Sequence, residues 1–566
     1  MRKKVLLGEM LVAAGIISQE KLARALEDQA RSGLRLGEYL IRNALVREEQ
    51  IIELVSKQLR IPRFSSADFT IDSRLATLLA PELAQKHRAV PLGLRGSVLL
   101  LVMTDPMDIY ALDAIEGSTG KEVQPYICPE SEFEQLIATV YGLRTGLDGL
   151  MEDMATLEVG EREAEELAGE VAVSSLQSMA EDAPVIRLVN SILSQAVVEK
   201  ASDVHISPEK KYIQVRFRID GRLQEVSAPP RNLHLALVSR LKILANMDIA
   251  TTRIPQDGRF TINMAKREIN VRVSTLPTIH GENVVLRLLD MGGGIYTMEE
   301  LGMEEAERTR LAGLVSKPYG MILATGPTGS GKSTTLYAIL RELNQPEINI
   351  VTLEDPVEYR MEKIRQVQLN RKAGMTFASG LRSILRQDPD VVMVGEIRDR
   401  ETADIAVQAA LTGHRLLSTV HTNDAAGAIT RLLDMGVEPF MIASSLLVSV
   451  AQRLVRKTCP HCRERYEPDR ALLHFWELEQ EAGVEFFRGA GCIQCRQTGY
   501  AGRVGLYEIL PNDETVQELI MQRASSQAIT RAMRQAGKLR TLKEDGAAKI
   551  LAGITTVEEA TTAVMV

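Results

Sequence analysis

The segment Met321-Ile-Leu-Ala-Thr-Gly-Pro-Thr-Gly-Ser-Gly-Lys-Ser-Thr334 decides the fold, because in it an apolar run leads directly into a glycine-rich loop. The run Met321–Thr325 predicts a buried strand, and the residues after the loop predict a helix from Thr334 to Leu343. The loop follows the pattern G-x-x-x-x-G-K-[ST]. Glycines let backbone N–H groups turn toward phosphates, and the helix N-terminus adds partial positive charge. The segment therefore predicts a phosphate-binding loop in an α/β domain.

The residues expected to bind the nucleotide belong to this loop and to the start of its helix. They are Gly326, Pro327, Thr328, Gly329, Ser330, Gly331, Lys332, Ser333 and Thr334. Lys332 is expected to reach the β- and γ-phosphates, and the Ser333 hydroxyl is expected to bind Mg²⁺. The alternative is a glycine-rich turn that binds nothing. The strand before the loop and the helix after it favour the nucleotide site.

Three further apolar runs, Ile348–Leu353, Val391–Val394 and Leu416–Val420, predict buried parallel strands of a doubly wound sheet. The residues that follow these strands include Glu354, Glu396 and His421. Ligands bind outside the carboxyl ends of such strands, so these side chains are expected to share a crevice with Lys332. Two carboxylates there predict a site that holds Mg²⁺ and positions water, and either glutamate could be the base.

The chain has 566 residues, which suggests about four domains at the usual size. An internal repeat with an offset of 29 residues predicts a helical domain over 1–61. Residues 62–142 predict a second, α+β domain. Residues 143–182 hold eleven acidic and two basic residues and predict a solvated linker. An α+β domain over 183–290 and a nucleotide-binding α/β domain over 291–566 follow.

Composition restricts the function classes. The net charge is −8, which argues against a protein that wraps duplex DNA. No apolar run approaches the ~20 residues that a membrane span needs, and no signal peptide opens the chain. We expect a soluble, cytoplasmic protein.

Four of the five cysteines form two Cys-x-x-Cys pairs, and 29 residues separate the pairs. Four thiolates suit tetrahedral Zn²⁺ with every position filled, which predicts a structural site in a module over 456–498. A redox dithiol is the alternative, but it needs only one pair. We expect a helix over Leu473–Glu481 inside the long loop. The predicted zinc ligands are Cys459, Cys462, Cys492 and Cys495.

Several motifs resemble those of the secretion ATPase superfamily, in particular its type II secretion and type IV pilus assembly ATPases. The loop at Lys332 resembles the Walker A box, and the resemblance runs from about residue 183 to about residue 508. The other matching segments are the Asp box Thr352–Glu358, the Walker B box Val394–Asp399, the His box Thr412–Asp424, and Ala201–Ile206 and Arg253–Arg259 in the preceding domain. The cysteine module and the long N-terminal region are similar to those of assembly and secretion members rather than retraction members.

This resemblance implies a RecA-like ATPase domain behind a PAS-like α+β domain, in a homohexameric ring. The ring would hydrolyse ATP with Mg²⁺ at the cytoplasmic face of the inner membrane. There it would drive pilin or pseudopilin assembly with platform and cytoplasmic-domain partner proteins. The resemblance also makes Glu354 the general base and Glu396 the residue that holds Mg²⁺ through water. A motor for DNA uptake or conjugation is the alternative, although the charge disfavours it and we expect no specific nucleic acid.

Arginines on a strand face add a further candidate. Arg216 and Arg218 alternate with apolar residues before an Asp-Gly turn, and Arg272 lies on another strand. They could form a solvated face, or one could stabilise transition-state charge on the phosphates. By the resemblance we favour Arg218, contributed to the neighbouring subunit's nucleotide in a closed ring.

The N-terminal repeat resembles a module that binds cyclic-di-GMP through two copies of R-L-G-x-x-L. Arg35-Leu36-Gly37 fits the second copy, but Leu6 stands where the first copy needs arginine, and Ala44 replaces the glycine equivalent to Gly15. Leucine cannot make the bidentate phosphate contacts of arginine. A helical docking domain for an inner-membrane partner is therefore preferred, with cyclic-di-GMP as the alternative ligand.

Overall fold

The N-terminal residues form a small helical unit. The computed structural model describes residues 7–32, 36, 39–40, 43, 45–46, 48–64, 78–141, 177, 180, 182–264, 267–290, 296–478, 484–492 and 494–565. Three of its helices are α1 (Leu7–Ala13), α2 (Gln19–Ser32) and α3 (Glu48–Leu59). Their apolar residues share one core that includes Met10, Leu11 and Ile52. Arg35 and Ala44 of the repeat, and most of the predicted acidic linker, lie outside the described residues.

A three-stranded sheet with order β1-β2-β3 follows. Its strands β1 and β2 are antiparallel, whereas β2 and β3 are parallel. The predicted strand at 98–103 is confirmed as β2, whose last five residues are fully buried. The elements of this region are α4 (Pro81–Lys86), β1 (Ala89–Arg95), β2 (Val98–Met103), α5 (Ile109–Thr119), β3 (Glu122–Ile127) and α6 (Glu130–Tyr141).

The next region is an antiparallel sheet of six strands in the order β6-β5-β4-β9-β8-β7. Two helices pack their apolar residues onto one face of it, against Val204, Val215 and Phe217. The alternation predicted for residues 213–219 is confirmed, because Ile213, Val215 and Phe217 are buried and their neighbours are not. The elements are α7 (Ala183–Val198), β4 (Asp203–Pro208), β5 (Ile213–Ile219), β6 (Arg222–Val226), a 3₁₀ turn (Arg231–Leu233), α8 (His234–Leu244), β7 (Gln256–Met264), β8 (Arg267–Thr278) and β9 (Gly281–Asp290).

A seven-stranded sheet carries the glycine-rich loop, in the order β12-β11-β13-β14-β10-β15-β18. Its first six strands are parallel, and β18 pairs antiparallel with β15. The four predicted strands are all present, with Glu354 as the last residue of its strand. Both faces are covered by helices, and every residue of β10 is buried. The elements are α9 (Glu305–Val315), β10 (Gly320–Thr325), α10 (Lys332–Leu343), β11 (Ile350–Glu354), β12 (Arg365–Gln368), a 3₁₀ turn (Arg371–Ala373), α11 (Phe377–Ile384), β13 (Val391–Val394), α12 (Arg400–Leu411), β14 (Arg415–Val420), α13 (Ala425–Asp434), α14 (Pro439–Ser445), β15 (Leu446–Thr458) and β18 (Tyr500–Pro511).

The cysteine module lies between β15 and β18. It contains β16 (Arg463–Tyr466), α15 (Arg470–Trp476) and β17 (Phe486–Gly489). The predicted helix over Leu473–Glu481 is wrong at both ends. The Asp469 side chain caps the helix by accepting a hydrogen bond from the Ala471 N–H, and the left-handed conformation of Glu477 ends it.

Four C-terminal helices complete the chain: α16 (Glu514–Met521), α17 (Ser526–Gln535), α18 (Leu542–Leu551) and α19 (Val557–Val564). Trp476 of the module is buried against Ile550 and Val557 of the last two helices. No helix in the described part of the chain is long and apolar enough to cross a membrane.

Candidate active site and cysteine cluster

The glycine-rich loop has the backbone conformation that phosphate binding needs. Gly326 and Gly331 have φ values of 144° and 90°. A Cβ atom at Gly326 would lie 2.5 Å from the carbonyl oxygen of Gln452, and a Cβ atom at Gly331 would lie 2.7 Å from the side-chain nitrogen of Gln452. Glycine is therefore required at both positions by conformation and by space. The neighbouring strand β15 fixes the shape of the loop.

Lys332 is the first residue of α10, and its side chain folds over the loop. Its Nζ donates hydrogen bonds to the carbonyl oxygens of Gly326 at 2.8 Å and of Pro327 at 3.0 Å. Only 8% of the residue is exposed. Burial lowers its pKa from the usual 10.5 to about 8, and Glu396 opposes the shift. Because the Lys332 ammonium group is poorly solvated, a bound phosphate would stabilise its positive charge.

The hydroxyl groups of the loop fit a phosphate and its metal ion. The Ser330 Oγ is buried and has no hydrogen-bond partner among the residues that the structure describes. Ser333 is exposed on the first turn of α10, whereas Thr335 is turned inward and donates to the Gln452 side chain at 2.7 Å. A bound phosphate would accept a hydrogen bond from the unpaired Ser330 hydroxyl, and the backbone N–H groups of the loop lie beside it.

Glu396 and His421 lie together beside Lys332. The Arg398 Nε is 2.5 Å from a carboxylate oxygen of Glu396, and the His421 Nε2 is 3.5 Å from the same oxygen. Burial lowers the pKa of His421, and the positive charge of Lys332 lowers it further. Lys332, Glu396 and His421 therefore share one crevice, where a carboxylate is available for a cation and an imidazole stays neutral.

Glu354 is buried, with 3% of the residue exposed. Its carboxylate accepts hydrogen bonds from the hydroxyl groups of Thr352, at 2.5 Å, and Tyr337, and from the Gln366 amide at 3.4 Å. Burial raises its pKa, and these hydrogen bonds oppose the shift. Burial at the end of β11 therefore makes this carboxylate a stronger base than an exposed glutamate.

The antiparallel sheet carries a row of charged residues on the face opposite its helices. Strand register aligns them side by side in the order Arg218, Asp203, Arg287, Arg272 and Arg259. Asp203 pairs with Arg287 at 3.0 Å and with Arg218 at 3.5 Å. The row holds four arginines and one carboxylate, so it carries excess positive charge.

Arg218 and Arg272 have different surroundings within the row. Arg218 donates to the carbonyl oxygen of Gly221 at 3.1 Å and pairs with Asp203, so its described contacts lie in its own sheet. Burial lowers the pKa of Arg272, and the nearby carboxylates of Glu358 and Asp355 oppose this shift. Arg272 is therefore the arginine of the two that lies near the segment after Glu354 within one chain.

Sequence reasoning did not identify several residues around these groups. Arg287 joins the row only through register, and Tyr337 and Gln366 reach Glu354 from other elements. Arg453 is buried on β15 and donates to the carbonyl oxygen of Asn423 in the His box at 2.9 Å. The polar pair Gln452-Arg453 within an apolar strand was the available signal for this position.

The four predicted zinc ligands lie together and are buried, with ligand atoms within 4.8 Å of one another. The S···S distances are 3.9 Å for Cys459 and Cys492, 3.8 Å for Cys462 and Cys495, and 3.7 Å for Cys492 and Cys495. Four sulfurs about 2.3 Å from a central Zn²⁺ in a tetrahedron would lie about 3.8 Å apart. The cluster therefore has the dimensions of a closed tetrahedral site.

The surroundings of Cys459 and Cys495 shift the pKa values of their thiols in opposite directions. Burial raises the pKa of the Cys459 thiol to about 11. Burial acts in the same direction on Cys495, but the backbone N–H groups of Cys492 and Gly499 donate to its sulfur, at 3.1 Å and 3.2 Å, and lower its pKa overall. A metal ion would supply the charge that ionises the remaining thiols.

Known families and proteins match the chain over both its motor and its N-terminal regions. The family described as "Type II/IV secretion system protein" matches residues 178–562, and the MshEN domain matches residues 59–147. The MshEN match covers the three-stranded region and not the helical repeat before it.

Two relatives extend these matches. The type IV pilus assembly ATPase PilB of Myxococcus xanthus is 41% identical over 559 residues, which cover 98% of each chain. The type II secretion system protein E of Pseudomonas aeruginosa is 48% identical over 455 residues, which cover 80% of this chain and 89% of that protein.

A solved structure with a similar fold is the ATPase DotB of Legionella pneumophila. It has a TM-score of 0.51 at 21% sequence identity, and the match covers 66% of this chain and 94% of DotB. The predicted multidomain α/β fold with a RecA-like nucleotide domain is confirmed. The chain belongs to the type II/IV secretion system protein family, and its predicted kinship with the type II secretion and type IV pilus assembly ATPases is confirmed.

Proposed function

We propose that the chain hydrolyses ATP and that the energy drives assembly of pilin or pseudopilin subunits. The observation that carries this proposal is the crevice, where a glycine-cradled loop, Lys332, Glu396 and His421 meet. The names of the relatives, a pilus assembly ATPase and a type II secretion protein, supply the coupling to assembly.

The proposed roles follow from the contacts. Lys332 stabilises charge on the β- and γ-phosphates once its Nζ leaves the loop carbonyls. Ser333 and Glu396 hold Mg²⁺, which would neutralise phosphate charge when bound. Glu354 accepts the proton of the attacking water, and Tyr337, Thr352 and Gln366 orient its carboxylate. His421 stays neutral next to Glu396 and contacts the nucleotide.

The proposed assembly is a homohexamer at the cytoplasmic face of the inner membrane, held there by platform and cytoplasmic-domain proteins. The excess positive charge of the arginine row offers an anion-binding face, which is compatible with a nucleotide held at a subunit interface. In a ring, Arg218 or Arg272 could reach the nucleotide of the neighbouring subunit. The N-terminal repeat is proposed as the docking domain, with cyclic-di-GMP as the alternative ligand.

The cysteine cluster is proposed to hold one structural Zn²⁺ per chain. Support comes from the S···S distances, which match a tetrahedron of thiolates around zinc. Metal analysis of the purified chain tests this, and Cys492→Ser should remove the metal. A fully folded, metal-free wild-type preparation would contradict the proposal.

An ATPase assay on the full chain tests the function. We expect Mg²⁺-dependent turnover that rises when the cytoplasmic domain of a platform protein is added. Single- and double-stranded DNA should leave the rate unchanged. Stimulation by DNA and not by the platform domain would favour the nucleic-acid motor instead, and Lys332→Ala serves as the inactive control in every assay.

A further inference from the structure

Two acidic residues of the antiparallel-sheet region contact the segment that begins at the second cysteine pair. Glu199, at the C-terminal cap of α7, lies 3.2 Å from the Arg496 guanidinium. Asp220 accepts a hydrogen bond from the Gly502 N–H at 2.8 Å, and the Arg503 Nε is 3.7 Å from its other oxygen. These contacts join the sheet that carries the arginine row to the cysteine module, through Arg496, and to the start of β18, through Gly502 and Arg503.

The fold of the second cysteine pair fixes where Arg496 lies. Arg496 and the residue after it, Gln497, have backbone φ values of 52° and 63°, which residues other than glycine rarely adopt. The N–H groups of Cys492 and Gly499 bind the Cys495 sulfur and hold this turn closed. Arg496 therefore meets Glu199 only while the turn around Cys495 is folded.

Asp220 lies in the turn that supports Arg218. Asp220 and Gly221 connect β5 to β6 with φ values of 48° and 84°, as in the tight turns typical of β-hairpins. The Gly221 carbonyl oxygen accepts a hydrogen bond from the Arg218 guanidinium at 3.1 Å. A displacement of this turn therefore displaces Arg218, which lies at one end of the arginine row.

We propose that the segment from Cys492 to Arg503 is an interdomain latch. Glu199 and Asp220 are its positioning residues, and through them the cysteine module and the start of β18 hold the arginine row in a fixed place relative to the glycine-rich loop. The latch rests on the proposed ATPase function for its kinetic consequence only. Its structural consequence, an ordered β5–β6 turn, can be measured without any turnover.

A charge swap tests the latch. Arg496→Glu and Glu199→Arg should each speed hydrogen exchange of the backbone amides at residues 219–222 by about two- to fivefold, the range expected for a partly exposed ion pair. The double variant should return exchange to the wild-type rate. In parallel, each single variant should lower kcat with an unchanged KM for ATP, because the glycine-rich loop is not altered.

The matched control is Arg488→Glu. This change breaks the 2.8 Å ion pair between Arg488 of β17 and Glu464 of β16, which lies inside the cysteine module. Exchange at the β5–β6 turn should stay at the wild-type rate. Asp220→Asn should have a smaller effect than Asp220→Ala, since asparagine keeps an oxygen for the Gly502 N–H and tolerates a positive φ.

Unchanged exchange in both single variants, with full metal content, would overturn the latch. If Arg496→Glu loses its metal, Glu199→Arg alone decides, because Glu199 lies outside the cysteine module. If the wild-type chain hydrolyses no ATP, the proposed function fails, and the exchange experiment still decides the latch.

Discussion

The nucleotide crevice and the arginine row collect charged groups in different ways. In the crevice, Lys332, Glu396 and His421 follow separate strands of a parallel sheet, and positive and negative charges lie side by side. In the row, the charged residues are paired across antiparallel strands, and Asp203 is the carboxylate among four arginines. The crevice is close to balanced within one chain, whereas the row has positive charge left for an anion.

This difference has a mechanistic consequence. In the crevice, Lys332 is buried and the Glu396 carboxylate and the His421 imidazole already lie beside it, and such a preorganised set of charges favours transition-state stabilisation. A row with excess charge on a sheet face gains most when an anion approaches it from outside. Loss of Lys332 should therefore remove the activity of its own subunit's site, and loss of a row arginine should remove activity that an intact neighbouring subunit can restore.

Replacement of Lys332 by alanine is expected to have the largest effect. The Nζ of Lys332 is the cation that the loop holds at its carbonyls, so its loss removes charge stabilisation between the β- and γ-phosphates. We expect turnover to fall by at least about 10³-fold, measured as phosphate release at saturating ATP. Turnover within tenfold of wild type would show that another cation supplies this charge.

Variants of Glu354 and Glu396 should lose activity for different reasons. Glu354→Gln should keep ATP bound and slow turnover by about 10²–10⁴-fold, because the buried site loses a base and no phosphate donor. Glu396→Gln should weaken Mg²⁺ binding, so that added Mg²⁺ restores part of the rate. Titration of Mg²⁺ at fixed ATP measures both. A nearly normal rate in Glu354→Gln would move the base role to Glu396.

The comparison also explains what the sequence could predict. Carboxyl ends of parallel strands converge on one crevice whatever their register, so strand runs and their next residues were enough to place Lys332, Glu396 and His421 together. The cysteine cluster was equally accessible, because the ligands come in two short pairs. The Asp469 cap and the left-handed Glu477, by contrast, are local details that set the ends of α15 and left no periodic signal.

The row could not be predicted, since its members are linked only by register. Arg287 lies beside Asp203 and Arg272 because β9 pairs with both β4 and β8, a fact that no local pattern contains. The same is true of Glu354, whose partners Tyr337 and Gln366 come from α10 and β12. Sequence motifs located the charged groups at strand ends, and pairing between distant strands decided their neighbours.

A subunit-mixing experiment tests whether the row acts across a ring. Arg218→Ala and Lys332→Ala should each be inactive or nearly so, and Arg272→Ala should be tested in the same way. In mixed hexamers, some interfaces would join an intact Lys332 to an intact arginine, and ATPase activity should return. Arg267→Ala is the control, because it breaks an exposed ion pair with Asp290 at the end of β8.

Recovery with Arg272→Ala and not with Arg218→Ala would assign the catalytic arginine to the residue beside Glu358. No recovery with either, in a mixture whose subunit exchange is confirmed by labelling, would contradict a site shared between subunits. The control variant should stay near the wild-type rate whether mixed or alone.

The smallest expected effect is on pH dependence, and it isolates the buried cation of the crevice. Burial lowers the pKa of Lys332 from 10.5 to about 8. A phosphate favours the protonated amine and raises this pKa, so nucleotide binding above pH 8 must take up a proton. Affinity for a non-hydrolysable ATP analogue should then fall by up to about tenfold per pH unit between pH 8 and 10.

Titration calorimetry in two buffers of different ionisation enthalpy measures the proton uptake. In Lys332→Arg the guanidinium stays protonated, so proton uptake should vanish. Equal uptake in both proteins would place the titrating group outside the loop, and no uptake in the wild type would mean that Lys332 is already charged throughout this range.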